Sequence, residues 1–197
     1  MGSSKVKIYL SVIYCLFLSS CAIQYTDIST NYQLKNGVGV ILLSQTASGE
    51  CGFAYFTGIR ETSNKSVYSV GMQDFGHERD WVKKNNECPS KPDSYFGKLV
   101  AIELPIGNYE IYQLEGISKY VKVYTKNDIS VKFTVEANKI NYLGNIHFHV
   151  KKKNFIYSVQ DLSQRDLPLF LNKYKQFNMQ DIIINLLKMN KTKILSI

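Results

Sequence analysis

The sequence predicts a mainly β protein: an antiparallel β-sandwich with one or two short helices at the C-terminus. Three observations carry that expectation. Apolar and polar side chains alternate with period two through much of residues 37–160. Turn signals recur about every eight to twelve residues. No stretch inside 37–160 repeats at helical spacing. The chain has 197 residues, 45% hydrophobic and 20% charged, which excludes a disordered tail or a collagen-like repeat. Twelve Gly and four Pro are too few for a low-complexity linker, so one domain with at most a small appendage is expected. Its single long apolar stretch, at the N-terminus, excludes a polytopic membrane protein.

Each strand has its own signature. Asn36-Gly37 is a turn signal, and Val38 to Leu43 is a compact apolar run behind it. Cys51 to Thr57 is aromatic and β-favouring, and Ser66 to Met72 continues more weakly. Leu99 to Leu104 leads into the turn Pro105-Ile106-Gly107-Asn108, and Tyr109 to Leu114 resumes. Val121, Val123 and Thr125 alternate against Tyr120, Lys122, Tyr124 and Lys126. Val131, Phe133 and Val135 alternate against Lys132 and Thr134, and Ile146, Phe148 and Val150 against His147 and His149. Phe155, Tyr157 and Val159 make the last strand. Beyond it, Ser163-Gln164-Arg165-Asp166 reads as a helix cap before Leu167, Leu169, Phe170, Leu171 and Tyr174, with Pro168 in the first turn. A second helix is expected from Asn178, with Ile182, Ile183, Leu186, Leu187 and Met189 on one face.

The N-terminus reads as an address. Lys5 and Lys7 precede Ile8 to Leu18, an apolar run of about eleven residues that suits a signal peptide and is too short to span a bilayer. Met1-Gly2 opens a myristoylation pattern that Val6 breaks. The run ends in Leu18-Ser19-Ser20-Cys21, which resembles the lipobox of bacterial lipoproteins. The resemblance implies cleavage before Cys21, attachment to its thiol of one diacylglyceryl group carrying two long acyl chains such as palmitate, and usually acylation of the new amine. Two or three chains anchor firmly where one is marginal. Ala22 lacks the Asp that marks inner-membrane retention, so an outer-membrane protein is expected, on the periplasmic face or the cell surface. The expected organisation is signal peptide 1–20, flexible tether 21–36, sandwich 37–162 and C-terminal helical segment 163–197. Loss of Lys5 and Lys7 lowers the formal net charge from +8 to +6.

Cys15 leaves with the signal peptide and Cys21 takes lipid. Cys51 and Cys88 then form an even pair in an oxidising compartment. A disulfide closing a loop of about 38 residues would stabilise by roughly 3–4 kcal/mol in the chain-entropy account. A metal pair and a reactive thiol are the alternatives.

Two further segments resemble small bacterial sandwich domains of transthyretin or carboxypeptidase-regulatory type. Gly97 to Ile111 resembles their strand–L-P-x-G-x-Y–strand hairpin. Val135 to Asn145 resembles the x-A-G-K-x-Y-Y-L-G start of a strand, with Asn138 where Gly is usual. Asn tolerates positive φ, so the turn survives. The resemblance implies an Ig/transthyretin-like sandwich and carries no catalytic residue.

The titratable cluster Asp74-Phe75-Gly76-His77-Glu78-Arg79-Asp80-Trp81 lies in a loop of about 73–96. Its spacing matches no dedicated metal loop. Asp74, Phe75, His77, Glu78 and Trp81 form the candidate binding surface, because Phe75 and Trp81 add apolar anchors to charge. His147 and His149 face the same way on one strand and read as exposed histidines or two ligands of a metal. The stripe Tyr120, Lys122, Tyr124, Lys126 suits a glycan contact or a charged sheet edge; nucleic acid is not expected outside the cytoplasm. No phosphate loop, dinucleotide fingerprint, zinc-protease helix or nucleophile elbow is present. A non-enzymatic envelope lipoprotein binding another envelope protein or peptidoglycan is therefore expected, with no cofactor, no metal and no catalytic residue. The alternative is a periplasmic hydrolase or metal-dependent enzyme using loop 74–81.

Overall fold

The computed structural model describes residues 23–24, 27–49, 52–73, 95–120, 122–125, 129–151, 154–189 and 192–195. Among them, twelve strands form two six-stranded sheets with one α-helix, so the fold is mainly β. One sheet contains β1 (Ile23–Gln24), β3 (Ala54–Glu61), β4 (Val67–Gln73), β6 (Gly107–Ile117), β7 (Lys122–Tyr124) and β8 (Val131–Val135), ordered β1-β4-β3-β6, with β6 paired to both β7 and β8. The other contains β2 (Val38–Gly49), β5 (Phe96–Pro105), β9 (Ile140–Lys151), β10 (Asn154–Gln160), β11 (Ile182–Ile184) and β12 (Thr192–Leu195), ordered β12-β10-β9-β2-β5, with β11 on β9.

Between the sheets lies the larger core, built from alternate residues of each strand. Ile41, Leu43, Ile102, Leu104, Leu143, Ile146 and Phe148 face Tyr55, Ile59, Met72, Tyr109, Ile111 and Leu114. Tyr55 stacks on Phe148 at 5.0 Å between ring centroids. A second core lies on the outer side of the β2 sheet. There Val40, Leu42, Leu99, Ala101, Ile140 and Tyr142 meet Leu167 and Phe170 of α1 (Ser163–Lys173) and Tyr174, its C-cap. The continuous run Val38 to Leu43 follows from this: a strand covered on both faces has no polar side to alternate.

Not every pairing is antiparallel. β9 runs parallel to β2, and β11 runs parallel to β9. Period-two patterning says which face a residue occupies and nothing of strand direction. The segment Gly97 to Ile111 is not a hairpin either. β5 pairs with β2 while β6 pairs with β3, so the Pro105–Gly107 turn carries the chain from one sheet to the other. Buried Tyr109 donates from its hydroxyl to the Pro105 carbonyl across this corner (2.9 Å). Asn138 sits at φ 56°, the left-handed conformation expected of it.

The expected tether, 21–36, is docked from Asp27 onward. Ile28 and Tyr32 are buried in the outer core, and Ile28 N–H donates to the Ala101 carbonyl (2.8 Å). The C-terminal segment differs more. α1 forms, but Ser163 does not cap it: the N-cap is Leu162, with no side-chain cap. Asp166 turns inward to the sheet instead of back to the helix end, and Pro168 lies inside the helix, past its first turn. The second expected helix is absent. Asn178 caps a single 3-10 turn, Met179–Asp181, and the chain then extends as β11 along β9. Three consecutive β-branched residues, Ile182 to Ile184, favour the extended backbone, and β9 offers a free edge there because β10 begins to pair only at Asn145. Leu187 still reaches the inner core, with its N–H donating to the Leu143 carbonyl (3.1 Å).

Candidate functional site

Cys21, Cys51 and Cys88 lie outside the described residues, and so do Asp74, Phe75, His77, Glu78 and Trp81. The strands on either side of 74–94 are placed: Gln73 ends β4 opposite Ala54, and Phe96 begins β5 opposite Ala47. Both lie at the end of the sandwich where β2 finishes. The stripe keeps its predicted alternation in its described part, with Val123 buried and Tyr120 and Lys122 exposed. Lys122 pairs with Glu115 at 3.0 Å and Lys119 lies over the Tyr120 ring.

At that same end a polar seam crosses the outer face of the β2 sheet. It begins where the double coverage of β2 by core and helix stops. Ser44, Thr46 and Ser48 of β2 stand opposite Asn145, His147 and His149 of parallel β9. Gly144, at φ 97°, adjoins the bulge that brings these residues into register: Leu42 pairs with Tyr142, but Leu43 pairs with Gly144. Without that extra residue, Asn145 and the histidines would point into the core.

The first turn of α1 closes the inner end of the seam. Asp166, 0% exposed, accepts from Ser44 Oγ (2.6 Å), Tyr142 Oη (2.8 Å) and Arg165 Nε (2.7 Å). Arg165 Nη2 also donates to Ser44 Oγ (2.9 Å) and weakly to Asn145 Oδ1 (3.4 Å). Burial and the adjacent Asp166 charge push the Tyr142 hydroxyl above its ordinary range, so it stays a donor. Thr46 Oγ1 lies 3.1 Å from Asn145 Oδ1 and 2.8 Å from His147 Nδ1. Ser48 Oγ lies 2.9 Å from His147 Nε2 and 2.9 Å from His149 Nδ1.

Ser44 Oγ also lies 2.8 Å from Asn145 Oδ1. The contacts of His147 fit either imidazole tautomer: hydrogen on Nδ1 donates to Thr46 and leaves Nε2 to accept from Ser48, and hydrogen on Nε2 reverses both bonds. Asn145 Nδ2 is buried without a hydrogen-bond partner. Burial first, then the neighbouring His149 and Arg165, lowers the His147 pKa from 6.5 to about 4. His147 is thus neutral at neutral pH.

The histidines are therefore not simply exposed. They are half-buried and built into a ladder. Their recurrence at 147 and 149 is plain in the sequence, but the roles of Ser44, Asn145 and Asp166 are not. The available signal is a pair of period-two polar triplets, 44-46-48 and 145-147-149, each continuing an apolar strand. Among the described residues no group of three His, Cys, Asp or Glu is placed to hold a metal ion. No described helix is long and apolar enough to cross a membrane.

No protein family and no curated protein matches the chain. Among solved structures, a leucine-rich repeat protein from Bacteroides thetaiotaomicron is similar at 15% identity with a TM-score of 0.37, over 59% of this chain and 14% of that one.

Proposed function

We propose that the chain is a membrane-anchored bacterial envelope lipoprotein whose sandwich is a non-enzymatic binding module. The observation that carries this is Leu18-Ser19-Ser20-Cys21 behind a signal-peptide core. Its mechanism is tethering: acyl chains on Cys21 confine the domain to the outer membrane and raise its effective concentration beside an envelope protein or peptidoglycan.

The short link between Cys21 and the fold supports an end-on arrangement. Ile23 already pairs with Tyr68, and two residues span at most about 7 Å. β1 runs parallel to β4, so its first residue, Ile23, lies toward the Val67 end of that strand. That end gathers tightly linked turns: Ile106 N–H donates to the Gly37 carbonyl, Thr62 N–H to the Asn108 carbonyl and Asn138 N–H to the Val38 carbonyl. Ile106 is 51% exposed at its tip. With Cys21 in the bilayer, this end faces lipid. The seam, Gln73 and Phe96 lie about 30 Å away along β2, toward the aqueous envelope. Against an enzyme stands the chemistry of His147, whose proton leaves far below neutral pH, where general acid–base catalysis works poorly.

Replacing Cys21 with Ser tests the reading. The variant should leave the detergent phase and the membrane fraction while its sandwich unfolds as before. Continued membrane retention would overturn it.

A further inference from the structure

We propose that His147 and His149 form a binding site for a divalent transition cation, Cu2+ or Zn2+ in kind, at the open end of the seam. Residues two apart on a strand share a face, and here the two imidazoles also converge. His147 Nε2 and His149 Nδ1 lie at 2.9 Å from the same oxygen, Ser48 Oγ. An ion placed beside that hydroxyl is within reach of two ring nitrogens, at the roughly 2.0–2.1 Å that such bonds need after small rotations.

The far side of His147 is prepared for such a role. A metal-binding imidazole donates its other N–H to a fixed acceptor, which sets the tautomer and the ring orientation. Thr46 Oγ1, 2.8 Å from Nδ1, is placed to be that acceptor. Thr46 is 1% exposed and held by Asn145, which contacts Arg165 behind it. With its proton on Nδ1, His147 turns the Nε2 lone pair toward Ser48, and His149 joins with its proton on Nε2. Ser48 supplies a third, hydroxyl ligand and water completes the shell. Imidazole donors select copper and zinc over calcium and magnesium. The inference stands whether or not Cys21 carries lipid.

The chain has three histidines, which makes the test clean. The folded full-length chain in detergent is titrated with Cu2+ alone, followed by calorimetry and by the nitrogen hyperfine structure of its electron paramagnetic resonance. The expected result is one ion per chain with two imidazole nitrogens. His149→Asn, which among the described residues gives up only the bond to Ser48, should weaken binding tenfold or more at an unchanged unfolding midpoint. Thr46→Val, which leaves both ligands, should weaken it about 10–100-fold. His77→Asn should leave it unchanged. Absence of a saturable site, or a site lost in His77→Asn and kept in His149→Asn, would overturn the proposal. If His147→Asn fails to fold, His149→Asn decides the matter.

Discussion

Asp166 takes the guanidinium of Arg165, the hydroxyl of Ser44 and the phenol of Tyr142 at a position without solvent contact. Removing the carboxylate would leave three donors without their shared acceptor, and losing one partner of a buried ionic cluster costs about 3–5 kcal/mol. Asp166→Ala should therefore lower unfolding stability by that order in urea, far more than an exposed helix substitution. His147 sets a second expectation. Its folded pKa of about 4 lies below the ordinary 6.5, so between those values the unfolded chain binds a proton that the folded chain refuses. Stability should fall as pH drops through that window, by up to about 1.4 kcal/mol per pH unit. His147→Gln should flatten this limb. Glu110 acts in a lower window. Its bond from Ser130, with the Arg60 guanidinium, holds its carboxyl below 4.5, so its contribution is present above that value and fades as pH falls through the folded pKa. Glu110→Gln should lower stability above that window and flatten the acid limb. None of these roles was legible in order along the chain. Asp166 read as a helix cap because Ser163 stands three residues before it; its inward turn depends on Ser44 and Tyr142, far away in sequence.

At the scale of elements, every described strand between 37 and 160 was legible, because each alternates or runs apolar against turn signals. Direction was not: the parallel β2–β9 pair and the sheet-crossing corner at Pro105–Gly107 arise from connections that side-chain periodicity does not encode. Tyr109→Phe would remove the hydroxyl that spans this corner, at a cost of about 0.5–1.5 kcal/mol in thermal or urea unfolding. The misread element is Ile182 to Met189. Its spacing satisfies a helix face, yet three β-branched isoleucines meet the vacant edge of β9, and sheet pairing prevails. Hydrogen exchange checks this directly. The amides of Asn185 and Leu187 should be protected through their bonds to the Tyr142 and Leu143 carbonyls. Leu187→Ala should then cost about 2–5 kcal/mol, as expected of an inner-core leucine.

For the whole molecule, the sandwich has two unlike ends. One carries β1 and the linked turns around Ile106; the other carries the histidine seam, the end of β4 at Gln73 and the start of β5 at Phe96. An anchor at Cys21 would turn the first toward lipid and the second away from it. The docked stretch from Asp27 makes that orientation firmer than a tether would, because a free linker of 16 or so residues would let the domain tumble. Composition and the lipobox were readable at once, whereas the docking of Ile28 and Tyr32 depended on an outer core that only the folded α1 completes. The central claim is the anchor. The most direct measurement is the intact mass of the protein extracted from membranes in detergent, taken before and after reduction. The account predicts loss of residues 1–20, added acyl mass on Cys21 and a gain of two hydrogens as Cys51 and Cys88 separate. A mass without acyl groups, or one that keeps residues 1–20, would contradict it.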